Sequence, residues 1–489
     1  MIKNFLKENS ALLCAFLIYF CLTIPFLSSS PLIWNDEGAY SEPAWNIVKY
    51  GYPIQQMWTG YVGYDSFSTH PNYLFFLSLA FMFKVFGAGI ISGRMLSVVS
   101  GFLLMILIYF ITKEIMGKRK GIIAVYILLF NPLFILFARM IRPEMLTTLL
   151  CFLGLFLVIK GLNNNNNLFF ILSGFCGALA GLVHINGFFF LGAIFIFIVF
   201  KKNLKYIFYF LIGASLVIIP YVAFLLFFWK LFLLQFLGLF SYRVPFSIWS
   251  ILENITTEPA RWLIGKTVPI SLWPGVIASI ILIPKMKKVL IIYIPLICML
   301  SYFILFDQSK YYGYLILVLP FFSILFGMFI VNLTKRSRKW IPILFLLFIL
   351  LSGFSIITFK IVRDSQVSYD AYCYELKKNI ADSEQVILGN PNLWFCFSNE
   401  NLRSVSILIR IHEITEEPYS QIIKEQKIAY IILDPSMENF LKTGNKAFEV
   451  TDEYIEAITN QCPYVFDINA YTEPTEDNKK TKIYVCKRN

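Results

Sequence analysis

The sequence predicts a polytopic α-helical membrane protein of about eleven transmembrane helices, followed by a small soluble α/β domain. Three observations predict it. Of the 489 residues, 58% are hydrophobic and only 15% are charged, whereas soluble domains carry about a quarter charged residues. Long apolar runs recur from the N-terminus to about residue 359 and then give way to ordinary globular composition. The basic residues behind the net charge of +12 sit in short clusters between those runs. Clusters of that kind signal membrane topology and not a nucleic-acid groove.

A helix needs about 20 apolar residues to cross the hydrocarbon. The expected spans are 11–28, 90–112, 122–138, 145–160, 168–183, 187–200, 206–229, 268–284, 289–306, 312–333 and 341–359. Residues 73–86 are apolar but short and carry Lys84, so they read as an interfacial helix. Alternate loops are basic: Lys3 and Lys7; Lys113 to Lys120; Lys201, Lys202 and Lys205; Lys285 to Lys288; Lys335 to Lys339. The positive-inside rule makes these cytoplasmic. Loops 29–89 and 230–267, the turns near 139–144, 184–186 and 307–311, and the tail 361–489 then share the outer face, while residues 1–360 form the membrane domain. The basic start and apolar run resemble a signal peptide, but FLSSSP lacks a clear cleavage site, so an uncleaved first span is expected.

Five cysteines lie in apolar spans and read as small buried hydrophobes. Cys373, Cys396, Cys462 and Cys486 lie in the tail, where two disulfides of undetermined connectivity are expected in an oxidising compartment. Gln385–Gly389 and Ala429–Leu433 read as buried strands and Gln421–Gln426 as helix. Asn163–Asn167 reads as a solvated connector.

The outer loops collect the polar chemistry. Asp36 and Glu37 follow the first span directly, and adjacent carboxylates beside hydrocarbon are costly unless hydrated, paired or used. Their plain role is to start the next helix, where negative charge is favoured. Tyr40 shares a helical face with Ala44 and Ile47. His70 precedes Pro71 and is suited to a phosphate, a proton or a metal, or to one loop hydrogen bond. Arg142 and Glu144 flank Pro143 at the start of a span, where they form either an interfacial ion pair or a phosphate-holding arginine with its acid. His184 and Asn186 make another outer turn. Lys310, Tyr311 and Tyr312 make a further one, suited to phosphate or to an interfacial belt. Loop 230–267 combines an apolar stretch with Arg243, Glu253, Glu258 and Arg261, and reads as a membrane-surface element that covers a lipid substrate or lies inert. It also holds the sequon Asn254-Ile255-Thr256.

Taken in order, these residues resemble the glycosyltransferase C superfamily, in the branch of protein O-mannosyltransferases and the lipid A aminoarabinose transferase. Asp36-Glu37 with Tyr40 and Gly51 is similar to its first-loop acidic motif. His70-Pro71, an interfacial helix, Phe86-Gly87 and Arg94 are similar to the pattern that follows. Arg142-Pro143-Glu144 stands where Arg-x-Asp is usual, and Tyr311 to Pro320 resembles a late Tyr-rich span. The sequence departs from the pattern at Glu144 and Asn72, and the tail carries no assignable motif.

The resemblance implies a GT-C-like enzyme that moves a sugar, with inversion, from a polyprenyl-phosphate carrier to a lipid, glycan or protein acceptor at the outer face of the plasma (inner) membrane. It implies Asp36 as base. Glu37 and Glu144 would orient the acceptor, and Asp36 and Glu144 would ligate a divalent metal ion if one is used. His70, Arg142, Lys310 and Tyr311 would meet the donor phosphate. Tyr40, Tyr312 and Arg243 would contact substrate. A transporter or flippase is the rival reading, but such proteins place ionisable groups near the midplane. Here the charges lie at span ends, and the chain shows no matching halves.

Overall fold

The computed structural model describes residues 2–240, 247–263, 268–336, 340–380, 385–397, 401–435, 452–472 and 479–486. The helices run in order as α1 (Ile2–Thr23), α2 (Asn35–Tyr50), α3 (Tyr73–Phe86), α4 (Ile90–Met116), α5 (Lys118–Leu129), α6 (Pro132–Ala138), α7 (Pro143–Asn164), α8 (Asn167–Val183) and α9 (Asn186–Phe200). They continue as α10 (Leu204–Phe227), α11 (Trp229–Phe240), α12 (Ile248–Leu263), α13 (Val268–Ile281), α14 (Leu290–Leu305), α15 (Leu319–Arg336), α16 (Trp340–Asp364) and α17 (Tyr369–Asn379).

Helices α4, α7, α10 and the one beginning at Trp340 are each long and apolar enough to cross a membrane, and the bent pair α5–α6 is a fifth candidate. The remaining expected spans coincide with shorter apolar helices: α1, α8, α9, α13, α14 and α15. Several boundaries differ from expectation, three of them through an early turn or a break in the helix. Helix α1 stops at Thr23 and the chain turns through Pro25, five residues before the expected end at 28. The span expected at 122–138 is broken, with α5 and α6 bent by 70°. The cause is local: Pro132 cannot continue the α5 hydrogen-bond ladder, while the Asn131 side chain accepts from the backbone N–H groups of Leu133 (3.0 Å) and Phe134 (3.4 Å) and caps a new helix. The span expected at 312–333 opens with a 3-10 turn, Tyr312–Leu317, before α15.

Without water to drive association, helices in a membrane pack through small residues. Helices α8 and α10 show this at Gly174 and Gly213. A Cβ at Gly174 would sit 2.0 Å from the carbonyl oxygen of Phe210, and one at Gly213 would sit 1.8 Å from that of Ile171. The helix expected at 73–86 is α3, and Asn165 and Asn166 form an exposed connector, Asn163 and Asn164 being the last residues of α7 and Asn167 the first of α8.

The tail is an α/β domain. Strands β1 (Val386–Gly389), β2 (Leu402–Ser404), β3 (Ile428–Leu433), β4 (Tyr464–Asn469) and β5 (Lys480–Val485) form one sheet in the order β2-β1-β3-β5-β4. The β2-β1-β3 half is parallel, and β5 pairs antiparallel with both β3 and β4. The four tail cysteines pair as Cys373–Cys396 and Cys462–Cys486.

The tail packs on the outer loop. Ala44, Phe75 and Phe83 share one apolar cluster with Tyr369, Leu393 and Trp394. Gly38 of α2 faces the Pro391 carbonyl so closely that a Cβ would lie 1.8 Å from its oxygen. Gly38→Val should therefore push the tail off α2 at a cost of about 1–3 kcal/mol. Limited proteolysis of the tail should accelerate while the helical circular dichroism stays unchanged; unchanged proteolysis would show that the contact is dispensable.

Candidate active site at the outer loop

Buried backbone that is neither helix nor sheet needs other partners for its carbonyls. Residues 24–34 between α1 and α2 are neither regular helix nor strand, and two fully buried arginines donate to carbonyls along this segment and at the end of α1. Arg139, at the end of α6, donates to the carbonyls of Leu22 (2.7 Å), Pro25 (2.8 Å), Phe26 (3.0 Å) and Ser30 (3.0 Å). Arg94 of α4 donates to those of Leu27 (2.8 Å) and Pro31 (2.9 Å), and forms a two-pronged ion pair with Glu37 at 2.7 and 2.9 Å. Glu37 also accepts from the backbone N–H groups of Ile141 (3.0 Å) and Trp34 (3.2 Å).

This fixes the next residue. With Glu37 anchored inward, Asp36 points outward, its side chain 44% exposed. The Ile141 bond brings the 139–142 turn alongside, and Arg142 bridges Asp36 and Glu144, meeting the latter at 2.7 Å. The Tyr311 ring lies 4.6 Å from the Arg142 guanidinium, a cation–π contact. Asp36, Arg142, Glu144 and Tyr311 are thus gathered from three distant parts of the chain.

Several expected roles change. Glu37, expected to orient the acceptor, is fully buried and both its oxygens are engaged by Arg94. Arg142, expected at the donor phosphate, is paired with two carboxylates, Asp36 and Glu144. Lys310 belongs to a second cluster, meeting Glu258 at 3.0 Å beside the Arg261–Asp307 pair at 2.8 Å. That cluster ties α12 to the turn bearing Tyr311. The divalent ion expected between Asp36 and Glu144 does not fit, because Arg142 holds that place. Among the described residues no group of three or more His, Cys, Asp or Glu is disposed to bind a metal. Arg243 lies outside the described residues.

Two cavities flank the centre. One, of about 290 Å³, is lined by Asp36, Tyr40 and His70 together with Trp58, Tyr61 and Arg410 of the tail. The other, of about 890 Å³, is mainly apolar and reaches Trp34 and Tyr312, with Arg139, Lys360 and Arg363 in its wall. Trp58, Arg410, Lys360 and Arg363 carry no motif. The last two read in sequence only as cations at the end of a span.

His70 accepts at Nδ1 from the Asn72 N–H (3.3 Å), and His184 does the same from the Asn186 N–H (3.2 Å). Each neutral ring therefore carries its proton on Nε2 and offers it as a donor. Burial, reinforced by the nearby His184, lowers the His70 pKa from 6.5 to about 4; burial lowers that of His184 as well.

Residues 69–228 match the family model described as dolichyl-phosphate-mannose-protein mannosyltransferase. No curated protein sequence matches the chain. Among solved structures, ArnT from Cupriavidus metallidurans in the apo state superposes with a TM-score of 0.64 at 13% identity, covering 98% of each chain. The chain has the GT-C glycosyltransferase fold. ArnT bound to undecaprenyl phosphate gives a TM-score of 0.62 at 13% identity, over 97% of this chain and 98% of that one. The archaeal oligosaccharyltransferase AglB from Archaeoglobus fulgidus, in complex with an inhibitory peptide and a dolichol-phosphate, gives 0.58 at 13% identity, over 99% of this chain and 75% of that one. The GT-C fold thus extends through the tail, beyond the third of the chain that the family model covers.

The His70 shift has a sign that can be tested. Below about pH 6.5 the unfolded ring takes up a proton that the folded ring resists until about pH 4. Its contribution is fully present above pH 6.5 and lost as pH falls toward 4. His70→Asn should flatten the fall in thermal stability over that window relative to wild type, read by melting in detergent. Parallel curves for the two proteins would rule the shift out.

Proposed function

We propose that the chain is an inverting membrane glycosyltransferase that moves a sugar from a polyprenyl-phosphate carrier to an acceptor hydroxyl at the extracytoplasmic face. One observation carries this reading: of the three carboxylates in the centre, Asp36 alone opens on a cavity, while arginines engage the buried Glu37 and Glu144. The fold and the family match of residues 69–228 supply the reaction class. The carriers present in the similar structures, undecaprenyl phosphate and dolichol-phosphate, supply the donor class.

In this reading Asp36 takes the proton of the acceptor hydroxyl. The oxygen bonds to the anomeric carbon, the bond from that carbon to the phosphate oxygen breaks, and its electron pair leaves with the carrier phosphate. With Glu37 and Glu144 both held by arginine, the centre offers no second carboxylate nucleophile, which favours a single displacement with inversion. Arg142 orients Asp36, and Glu144 orients Arg142. The imidazole Nε2–H groups donate to sugar or phosphate oxygens. Five basic loops on the opposite side and two tail disulfides support the outward placement of this face. The tail packs on the same loop that carries Asp36, so catalytic centre and tail share a side.

Asp36→Asn keeps the shape and removes the base. Consumption of the polyprenyl-phosphate-linked sugar pool, followed by mass spectrometry of membrane lipids, should fall by about 10²–10⁴-fold, with expression and melting temperature kept. Near-wild-type consumption would exclude Asp36 as base. Glu37→Gln should instead reduce both activity and stability, since it leaves Arg94 buried without its counter-charge, at a cost of about 3–5 kcal/mol. A Glu37→Gln protein as stable as wild type would contradict the anchoring role.

A further inference from the structure

Helix α11 is apolar along its length but for Lys230 and Gln235. Leu233, Leu234 and Leu237 lie exposed on its outward face, whereas Gln235 is 2% exposed. A buried amide is costly unless its groups find partners. Both ends of the Gln235 amide find them in the first outer loop. Its Oε1 accepts from the Thr69 N–H (2.8 Å) and from the Thr69 hydroxyl (2.7 Å), and its Nε2 donates to the Phe67 carbonyl (2.7 Å). Since a backbone N–H only donates and a carbonyl only accepts, these partners fix the orientation of the amide.

The bonds fall immediately before His70. Ser68, fully buried between Phe67 and Thr69, accepts from Gln55 at 2.8 Å and from the His70 N–H at 3.4 Å. On the other side, Pro71 restricts the backbone of the histidine that precedes it, and the Asn72 N–H meets the ring. Three residues beyond Gln235 on α11, Gly238 lines the smaller cavity together with His70 and Asp36, and its carbonyl accepts from the Tyr61 hydroxyl at 3.1 Å. Resting on the reading of the chain as a transferase in which the His70 Nε2–H meets substrate, we infer that Gln235 is a positioning residue for the reaction. Through the main chain of Phe67 and Thr69 it holds the His70 ring in the wall of the cavity on which Asp36 opens.

An amide that only fastened α11 to the loop would be redundant. Apolar contact already fastens it: a Cβ at Gly63 would lie 2.8 Å from Leu231 Cδ1, one turn before Gln235. What Gln235 adds is hydrogen bonding to the main chain at one point, on both sides of Ser68 and next to the ring.

The test follows consumption of the polyprenyl-phosphate-linked sugar by the full chain in membranes of its native host, with melting in detergent as a parallel readout. Gln235→Met keeps the length of the side chain and removes all three bonds. Its consumption should fall by about 10–100-fold, the loss expected when a group at the centre moves by about 1 Å. That loss should not add to the loss from His70→Asn. The double variant should lie within about threefold of the weaker single variant, because residues that act as a unit do not sum. A product of the two losses would mark a helix anchor unrelated to His70 and overturn the assignment. So would wild-type consumption in folded Gln235→Met, or an equal loss in Leu237→Ala, on the outward face of the same helix, which should keep the wild-type rate. If Gln235→Met does not fold, Thr69→Val, which deletes only the hydroxyl bond, should show a loss of about 3–10-fold, again not additive with His70→Asn. If wild type consumes no donor, the transferase reading fails, and the hold on His70 is read from stability instead. A loosened turn admits water to the ring, so Gln235→Met should flatten the fall in melting temperature between pH 6.5 and about 4, as His70→Asn does. A fall parallel to wild type would overturn the hold on His70.

Discussion

The eleven residues that leave α1 and enter α2 are neither regular helix nor strand, and Arg94 and Arg139 supply hydrogen-bond donors to carbonyls along them. The rest of the site depends on that arrangement. Glu37 accompanies Arg94 inward because a buried guanidinium requires its counter-charge. The backbone then turns Asp36 outward, and the spare oxygen capacity of Glu37 captures the Ile141 N–H. One buried ion pair thus joins the first outer loop, α4 and the turn before α7.

Around this frame the charges are distributed unevenly. The centre holds two acids, Asp36 and Glu144, on one arginine, and the cluster linking α12 to the Tyr311 turn is balanced. Two cavities lie beside this centre, one lined by Asp36, Tyr40, His70 and Arg410 of the tail, the other mainly apolar between α6 and α16.

Much of the architecture was legible in the chain because the bilayer imposes a one-dimensional rule. Apolar length and loop charge locate helices without reference to any partner, and every expected span found an apolar helix. The misread boundaries have local causes. Asn131-Pro132 encodes both a cap and a break, yet it sits inside an unbroken apolar run, so hydropathy passes over it. In the tail, AYIIL reads as a buried strand in isolation, whereas β4 and β5 are less apolar and take their places by pairing.

Among the site residues, the order Asp36, His70, Arg142, Glu144, Tyr311 along the chain pointed to one face and one class of chemistry. What order does not encode is which charge meets which. Arg142 reaches Asp36 across 106 residues and Arg94 reaches Glu37 across 57. Those meetings give Arg142 two acid partners and pair the buried Glu37 with Arg94. Span positions follow from transfer free energy, which each segment carries within itself. Side-chain roles follow from pairing in a buried setting, where each partner's charge is set by its neighbour, and only the folded chain brings those neighbours together.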